Sequence, residues 1–182
     1  GERIDDHPVF QAIAESPVAE QRAMLQQAAS QLGTVGSGNH YVDLFEDRGD
    51  GHLWIGVHFG SRGLGHKTAS GFLALAAGLQ WGDRVRDDMD AAPTLIPVGS
   101  ALGQDYMAAM EIAGAYAYAG RAWVVERVLR ILGALETDRV HNHHNFAWWE
   151  EHGGERLLVV RKGATPARPG QRGFVGGSMG ED

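Results

Sequence analysis

"NHYVDLFEDRGDGHLWIGVHFG", residues 39–60, holds a complete β-hairpin in 22 residues. Residues 39 to 46 alternate apolar and polar side chains, the period of a strand with one buried face. Gly49-Asp50-Gly51 supplies turn chemistry, and residues 52 to 60 read as a second strand. Two such runs predict an antiparallel pair. A hairpin brings the start of its first strand beside the end of its second. His40 and His58 are therefore expected on one edge of one sheet. Each adjoins a glycine-rich segment, "GTVGSGN" at 33–39 and "FGSRGLG" at 59–65.

On either side of this hairpin the pattern turns helical. Residues 18–32, after the break at Pro17, read as a helix that Gly33 stops. A second helix is expected over 67–79, followed by a polar stretch with prolines to about Leu102. The longest helical pattern runs from 104 to 132. There Tyr106, Met110, Ala113, Ala117, Arg121, Val124, Val128 and Ile131 recur on one face, which predicts core. Residues 156–164 read as a last strand that enters a Gly, Pro and Arg-rich loop. Helices and strands in mixed order give an α+β fold, expected as a single domain over 1–182 with the long helix packed on the sheet.

Composition narrows the function. The chain has 182 residues, 43% of them apolar and 21% charged, enough for a sizeable core and unlike a disordered segment. No apolar run approaches the roughly 18 to 20 residues that would span a bilayer, so no membrane association is expected. No signal peptide is visible, which fits a cytoplasmic protein. The chain opens "GERIDDHPVF" without Met, so a trimmed start or a piece of a longer chain is expected. There is no cysteine, so any metal ligands within it are imidazole, carboxylate, amide or backbone oxygen.

The formal charge is −7, which argues against indiscriminate nucleic-acid binding. It is unevenly spread. Arg156, Arg161, Lys162, Arg168 and Arg172 lie in a stretch to Gly180 that has no acidic residue. Such a stretch can meet phosphates, or simply be a solvated loop. Glycine numbers 26, about twice its usual share of roughly 7%. The glycines cluster, which suits backbone that turns sharply or approaches a ligand.

A second group of histidines lies in "HNHHNFAWWEEH", residues 141–152. His141, His143 and His144 fall within four positions, close to Glu150 and His152. Neutral imidazoles that converge on one point suit a divalent transition metal. Glycine loops beside them offer backbone N–H groups to phosphate oxygens, and Arg62 and Lys162 offer charge. Each histidine alone also has a structural explanation, and His7, His52 and His66 are expected to be structural or merely exposed. "GTVGSGN" lacks the Lys-Ser/Thr ending of a phosphate-binding P-loop.

These blocks carry a resemblance. "LGTVGSGNHYVDL", "VHFGSRGLGH", "HNHHNFAWWEEH" and "VVRKGATPARPGQRGFVGGSMG" resemble, in order, consecutive motifs of the RtcB family of RNA-splicing ligases. They span residues 32 to 180, and "GQDYMAAMEIAGAYAYAGR" at 103–121 is similar to the family's helix in that interval.

The resemblance implies an enzyme that joins an RNA 3′-phosphate or 2′,3′-cyclic phosphate end to a 5′-hydroxyl end with GTP and manganese. Cyclic ends are opened first. A histidine is guanylylated, GMP moves to the RNA 3′-phosphate, and the 5′-hydroxyl displaces it. The substrates implied are tRNA or damaged RNA, and the full-length protein is expected to be a monomer. His40, His58 and His144 match the family's manganese ligands, and the resemblance implies two ions per complete site. Asn39, His40, Tyr41, Val42, Asp43, His144, Asn145, Gly176, Gly177, Ser178 and Met179 match segments that hold GMP. Asn39, Arg62 and Lys162 match positions near phosphate.

The sequence departs from the family pattern in places. Asp43 stands where the family usually has Glu, and Gly176 where Pro is common. The family's upstream block with a metal-binding Asp and Cys has no counterpart. Its nucleophilic histidine is expected beyond Asp182, so no histidine here is assigned that part, and the chain is expected to be a catalytically incomplete central portion. Two other readings stay open: a relative that binds metal, nucleotide or RNA without joining ends, and a metal-dependent phosphohydrolase using His40, His58 and His144.

Overall fold

The computed structural model describes residues 6–85 and 94–173. The chain forms two compact units, Gly1–Leu132 and Gly133–Asp182. Helices with two small antiparallel sheets make the fold α+β, as expected.

The first unit begins with α1 (Pro8–Ala14), which the sequence reading did not anticipate. Pro8 suits the first helical turn, and the His7 ring caps it by accepting the Val9 N–H at Nδ1, 3.1 Å. His7 is thus structural. The helix expected over 18–32 divides into α2 (Ala19–Ala23) and α3 (Leu25–Gln31). At the junction the Met24 N–H reaches back only three residues, to the Gln21 carbonyl at 3.1 Å. That tighter turn redirects the axis.

The hairpin forms as read: β1 (Tyr41–Glu46) pairs with β2 (Leu53–His58), in register from Tyr41 opposite His58 to Glu46 opposite Leu53. Asp47 and Asp50 close its turn by accepting the backbone N–H groups of Gly49 and His52.

Helix α4 (Arg62–Ala76) starts five residues before the expected 67. The glycines around Arg62 read as loop, but Gln31 of α3 accepts the Gly63 N–H at 3.1 Å and caps the early start. That cap comes from 32 residues away, where no local pattern could show it. Helix α5 (Ala101–Leu132) begins at Ser100, whose hydroxyl accepts the Gly103 N–H at 3.0 Å. At 32 residues its length is about 48 Å.

Ala113, Ala117 and Val124 of the predicted stripe are buried, but Ile131 is 75% exposed. Ala109, Tyr116 and Ala119 are buried as well, because α5 meets α1 and α4 as well as β2. One cluster gathers Val9, Ile13, Met24, Ala28, Leu32, Leu64, Tyr116 and Ala119. Another packs Val18, Phe72 and Ala109, with Trp81 and Tyr106 edge-on to Phe72. Side chains such as Ile13 and Phe72 each contribute about 1.5–3 kcal/mol by burial. Between the clusters lies a buried polar knot. Gln21 accepts from the Ser16 hydroxyl and donates to the Thr68 hydroxyl and the Ala109 carbonyl.

The second unit contains a hairpin of β3 (Asn145–His152) and β4 (Glu155–Lys162). Only the latter strand was expected. "FAWWEE" shows no apolar-polar alternation, so β3 is hidden until β4 pairs with it. Gly153 and Gly154, with φ of 61° and 84°, form the two-residue turn. Positive φ at both positions is what a tight hairpin of native twist requires.

Candidate metal and phosphate site

In the first unit the β1–β2 register brings His40 and His58 together. Their ring centroids are 6.0 Å apart, at 60°. Tyr41 faces His58 across the ladder and its ring stacks on the imidazole at 5.5 Å. Burial, then the nearby Asp43, raises the Tyr41 pKa above its ordinary value. The phenol therefore stays protonated and can donate. Asp43 follows two positions on, on the same face of the strand, opposite Gly56, and is exposed to solvent. Asn39 is exposed just before the strand.

Arg62 completes this group. Its Nε donates to the Thr34 hydroxyl at 3.2 Å, and its Nη1 lies 3.5 Å from the His40 Nδ1. Arg62 itself adopts φ 53°, a left-handed conformation rare outside glycine. Its guanidinium occupies the space that a side chain at Gly36 would need. Thr34 and Gly36 were not singled out as site residues. Their glycine-rich loop hinted at a close approach, but nothing local identified Arg62 as what approaches.

Behind the pair, Arg121 of α5 donates to the Phe59 carbonyl at 2.9 Å. Desolvation lowers its pKa from the usual arginine value. This bond ties the long helix to the chain just after His58.

The second unit gathers a different subset. His144 and Asn145 stand at the open end of the β3–β4 hairpin, with Asn145 opposite Lys162 in the ladder. The Asn145 Oδ1 accepts the Gly163 N–H at 2.7 Å, and the His144 carbonyl accepts the Ala164 N–H at 3.0 Å. The strand ends are thereby locked. His143 stacks on Phe146 at 4.4 Å, which supports a structural part for it. Glu150 and His152 pair with each other at 2.8 Å, and Arg161 grips Glu150 with two hydrogen bonds. His52 pairs with Asp50, and His66 is exposed.

Gly176, Gly177, Ser178 and Met179 lie outside the described residues. Among the described residues no three His, Asp or Glu side chains are grouped to hold a metal ion. The His40–His58 pair offers two nitrogen donors, with Asp43 on the adjoining strand face. That donor set, free of thiolate, fits a divalent ion that accepts both nitrogen and oxygen. Among the described residues no helix is long and apolar enough to cross a membrane.

Comparison with known proteins supplies the context. A family model described as tRNA-splicing ligase RtcB matches residues 3–182. The RNA-splicing ligase RtcB of Escherichia coli (strain K12) is 32% identical over 164 residues, covering 82% of this chain and 39% of that protein. The tRNA-splicing ligase RtcB of Archaeoglobus fulgidus is 34% identical over 165 residues, covering 75% of this chain and 34% of the relative. For the tRNA-splicing ligase RtcB of Thermococcus kodakarensis the identity is 32% over 209 residues, with 90% and 42% covered. The chain thus spans about two fifths of the E. coli and T. kodakarensis relatives and about a third of the A. fulgidus one.

Proposed function

The chain belongs to the RtcB family, and from that premise we propose that it works in RNA end joining with GTP and manganese. The ends joined are a 3′-phosphate or 2′,3′-cyclic phosphate and a 5′-hydroxyl, on tRNA or other broken RNA.

One observation supports the metal assignment most: two imidazoles on facing strand ends, with an arginine at hand. His40 and His58 would hold manganese. For His144 the support is its motif, His144-Asn145, rather than geometry. When bound, the ion would neutralise charge that develops on phosphate oxygens.

Arg62 would turn its guanidinium to a phosphate, where planar, charge-assisted contacts are strong. Lys162 and Asn39 would contribute further phosphate contacts. Asn39, Tyr41, Val42 and Asp43 with His144 and Asn145 would hold the guanine nucleotide. Gly176, Gly177, Ser178 and Met179 join that assignment by motif. Asp43, shorter than the family's usual Glu, would need a small shift to reach the same group. No histidine of this chain is assigned as the guanylylated nucleophile.

The test has two parts. Calorimetry with manganese should show saturable binding that a His40→Ala, His58→Ala double variant loses. Incubation of a longer protein that includes this chain and supplies the nucleophilic histidine with RNA bearing both kinds of end, GTP and manganese should yield joined product. Binding without joining would favour a metal- or nucleotide-binding module. Release of phosphate without GTP would favour a phosphohydrolase.

A further inference from the structure

The second unit has a groove that the ligase assignment leaves unused. It lies between β3 and the segment after β4, with a volume of about 520 Å³. Trp148, Trp149, Glu151, Arg161, Thr165 and Arg168 contribute to its walls. That volume falls within the roughly 300–1,000 Å³ of small-ligand sites.

Its chemistry is specific. Trp149 is 45% exposed, unusual for so large an aromatic side chain on a strand. The Arg156 guanidinium lies over its ring, 4.8 Å from the centroid. The ring is therefore already held as a stacking platform by a planar cation.

The charges also sort themselves. Arg161 is committed to Glu150, at 2.6 Å and 3.0 Å, so one acidic side chain of the groove is neutralised. Arg168 and Lys162 have no ion pair among the described residues. Glu151 is the remaining acidic wall residue, and it faces Arg156 across the ladder. From Arg156 to Gly173 the sequence has five basic residues and no acidic one. An exposed indole backed by arginine, with a spare cation beside it, suits a planar base that carries a phosphate.

We propose that this groove binds an unpaired nucleotide of an RNA strand, with its base on Trp149 and its phosphate against Arg168. The inference rests on RNA being the substrate, as proposed above, and adds a contact made by residues that the metal and nucleotide assignment does not use. Stacking of this kind tolerates any base, because every base has a π-face. The groove would hold the strand without selecting its sequence.

The experiment is fluorescence anisotropy of a labelled oligouridine of about ten nucleotides, titrated with the chain in the absence of GTP and metal. Trp149→Ala should weaken binding about tenfold or more, and Trp149→Phe should restore most of it. Arg168→Ala, a change on an exposed loop that leaves the hairpin intact, should lower the slope of log affinity against log salt by about 0.7. Unchanged affinity in Trp149→Ala would overturn the proposal. So would competition by inorganic polyphosphate as effective as that by unlabelled oligouridine, since charge alone would then explain binding. Because no GTP or metal is present, failure here leaves the ligation assay to be decided separately, and failure of ligation leaves this binding measurable.

Discussion

Arg62 and His40 cannot keep their contact while a metal is bound to that histidine. Arg62 can only donate, so its Nη1, 3.5 Å from Nδ1, requires the ring to accept there. A neutral imidazole has one lone-pair nitrogen, and the other carries the proton. With Nδ1 accepting, neither nitrogen can ligate. Arg62→Met should therefore tighten manganese binding, by about 1–2 kcal/mol or roughly five- to thirtyfold, if the hydrogen bond has its usual net strength. Gly36→Ala should act in the same direction while keeping the arginine, because the added methyl takes the guanidinium's place, but φ 96° at this position also strains the loop for any L side chain. Calorimetry reads both, and a dissociation constant unchanged in both variants would show that the contact does not compete. Ligation should fall in Arg62→Met, since the phosphate contact is lost with the side chain.

Gln21 joins three elements through one amide. It is fully buried, and its partners Ser16, Thr68 and the Ala109 carbonyl come from three separate segments. Gln21→Leu conserves much of the volume but leaves the buried Ser16 O–H without its acceptor, while Thr68 keeps its bond to the Leu64 carbonyl. The expected loss is about 1–3 kcal/mol in urea denaturation. A loss below about 0.5 kcal/mol would show that the knot adds nothing beyond packing.

Tyr116 offers a milder contrast. Its hydroxyl donates to the Ala28 carbonyl at 2.8 Å, and burial pushes its pKa up to about 12. The same carbonyl also accepts the Leu32 N–H at 3.0 Å. Tyr116→Phe therefore leaves no acceptor unsatisfied, and should cost only about 0.5–1.5 kcal/mol. Comparing its urea midpoint with that of Gln21→Leu tests whether unsatisfied partners, rather than lost bonds, set the cost.

Glu150 makes the second hairpin sensitive to acid. The Arg161 guanidinium, then His152, holds its pKa down at about 2, against an ordinary 4.5. A depressed carboxyl favours the folded state fully above its ordinary pKa, and that contribution disappears as pH falls through the folded value. The window is therefore pH 4.5 down to 2. The Glu150 carboxyl carbon, followed by NMR, should titrate near the bottom of it. In Glu150→Gln the fluorescence of the adjacent Trp148 and Trp149 should no longer change across this range. A midpoint near 4.5 would mean that the Arg161 grip is absent in solution.

Sequence alone was enough for the β1–β2 hairpin, the long helix and the pairing of His40 with His58. Alternation, turn residues and helical spacing are local signals, and hairpin geometry converts them into proximity. It was also enough for the family, because motifs in order survive without knowledge of the fold. Tertiary structure was needed for the early start of α4, capped from Gln31, and for β3, whose run of aromatics has no period of its own. Only tertiary structure placed Arg62 on His40 and opened the groove beside Trp149. These features depend on side chains that meet across 22 to 32 residues, or across a strand and a returning loop. Such meetings follow from packing and hydrogen-bond satisfaction over the whole chain, which no short window of sequence encodes.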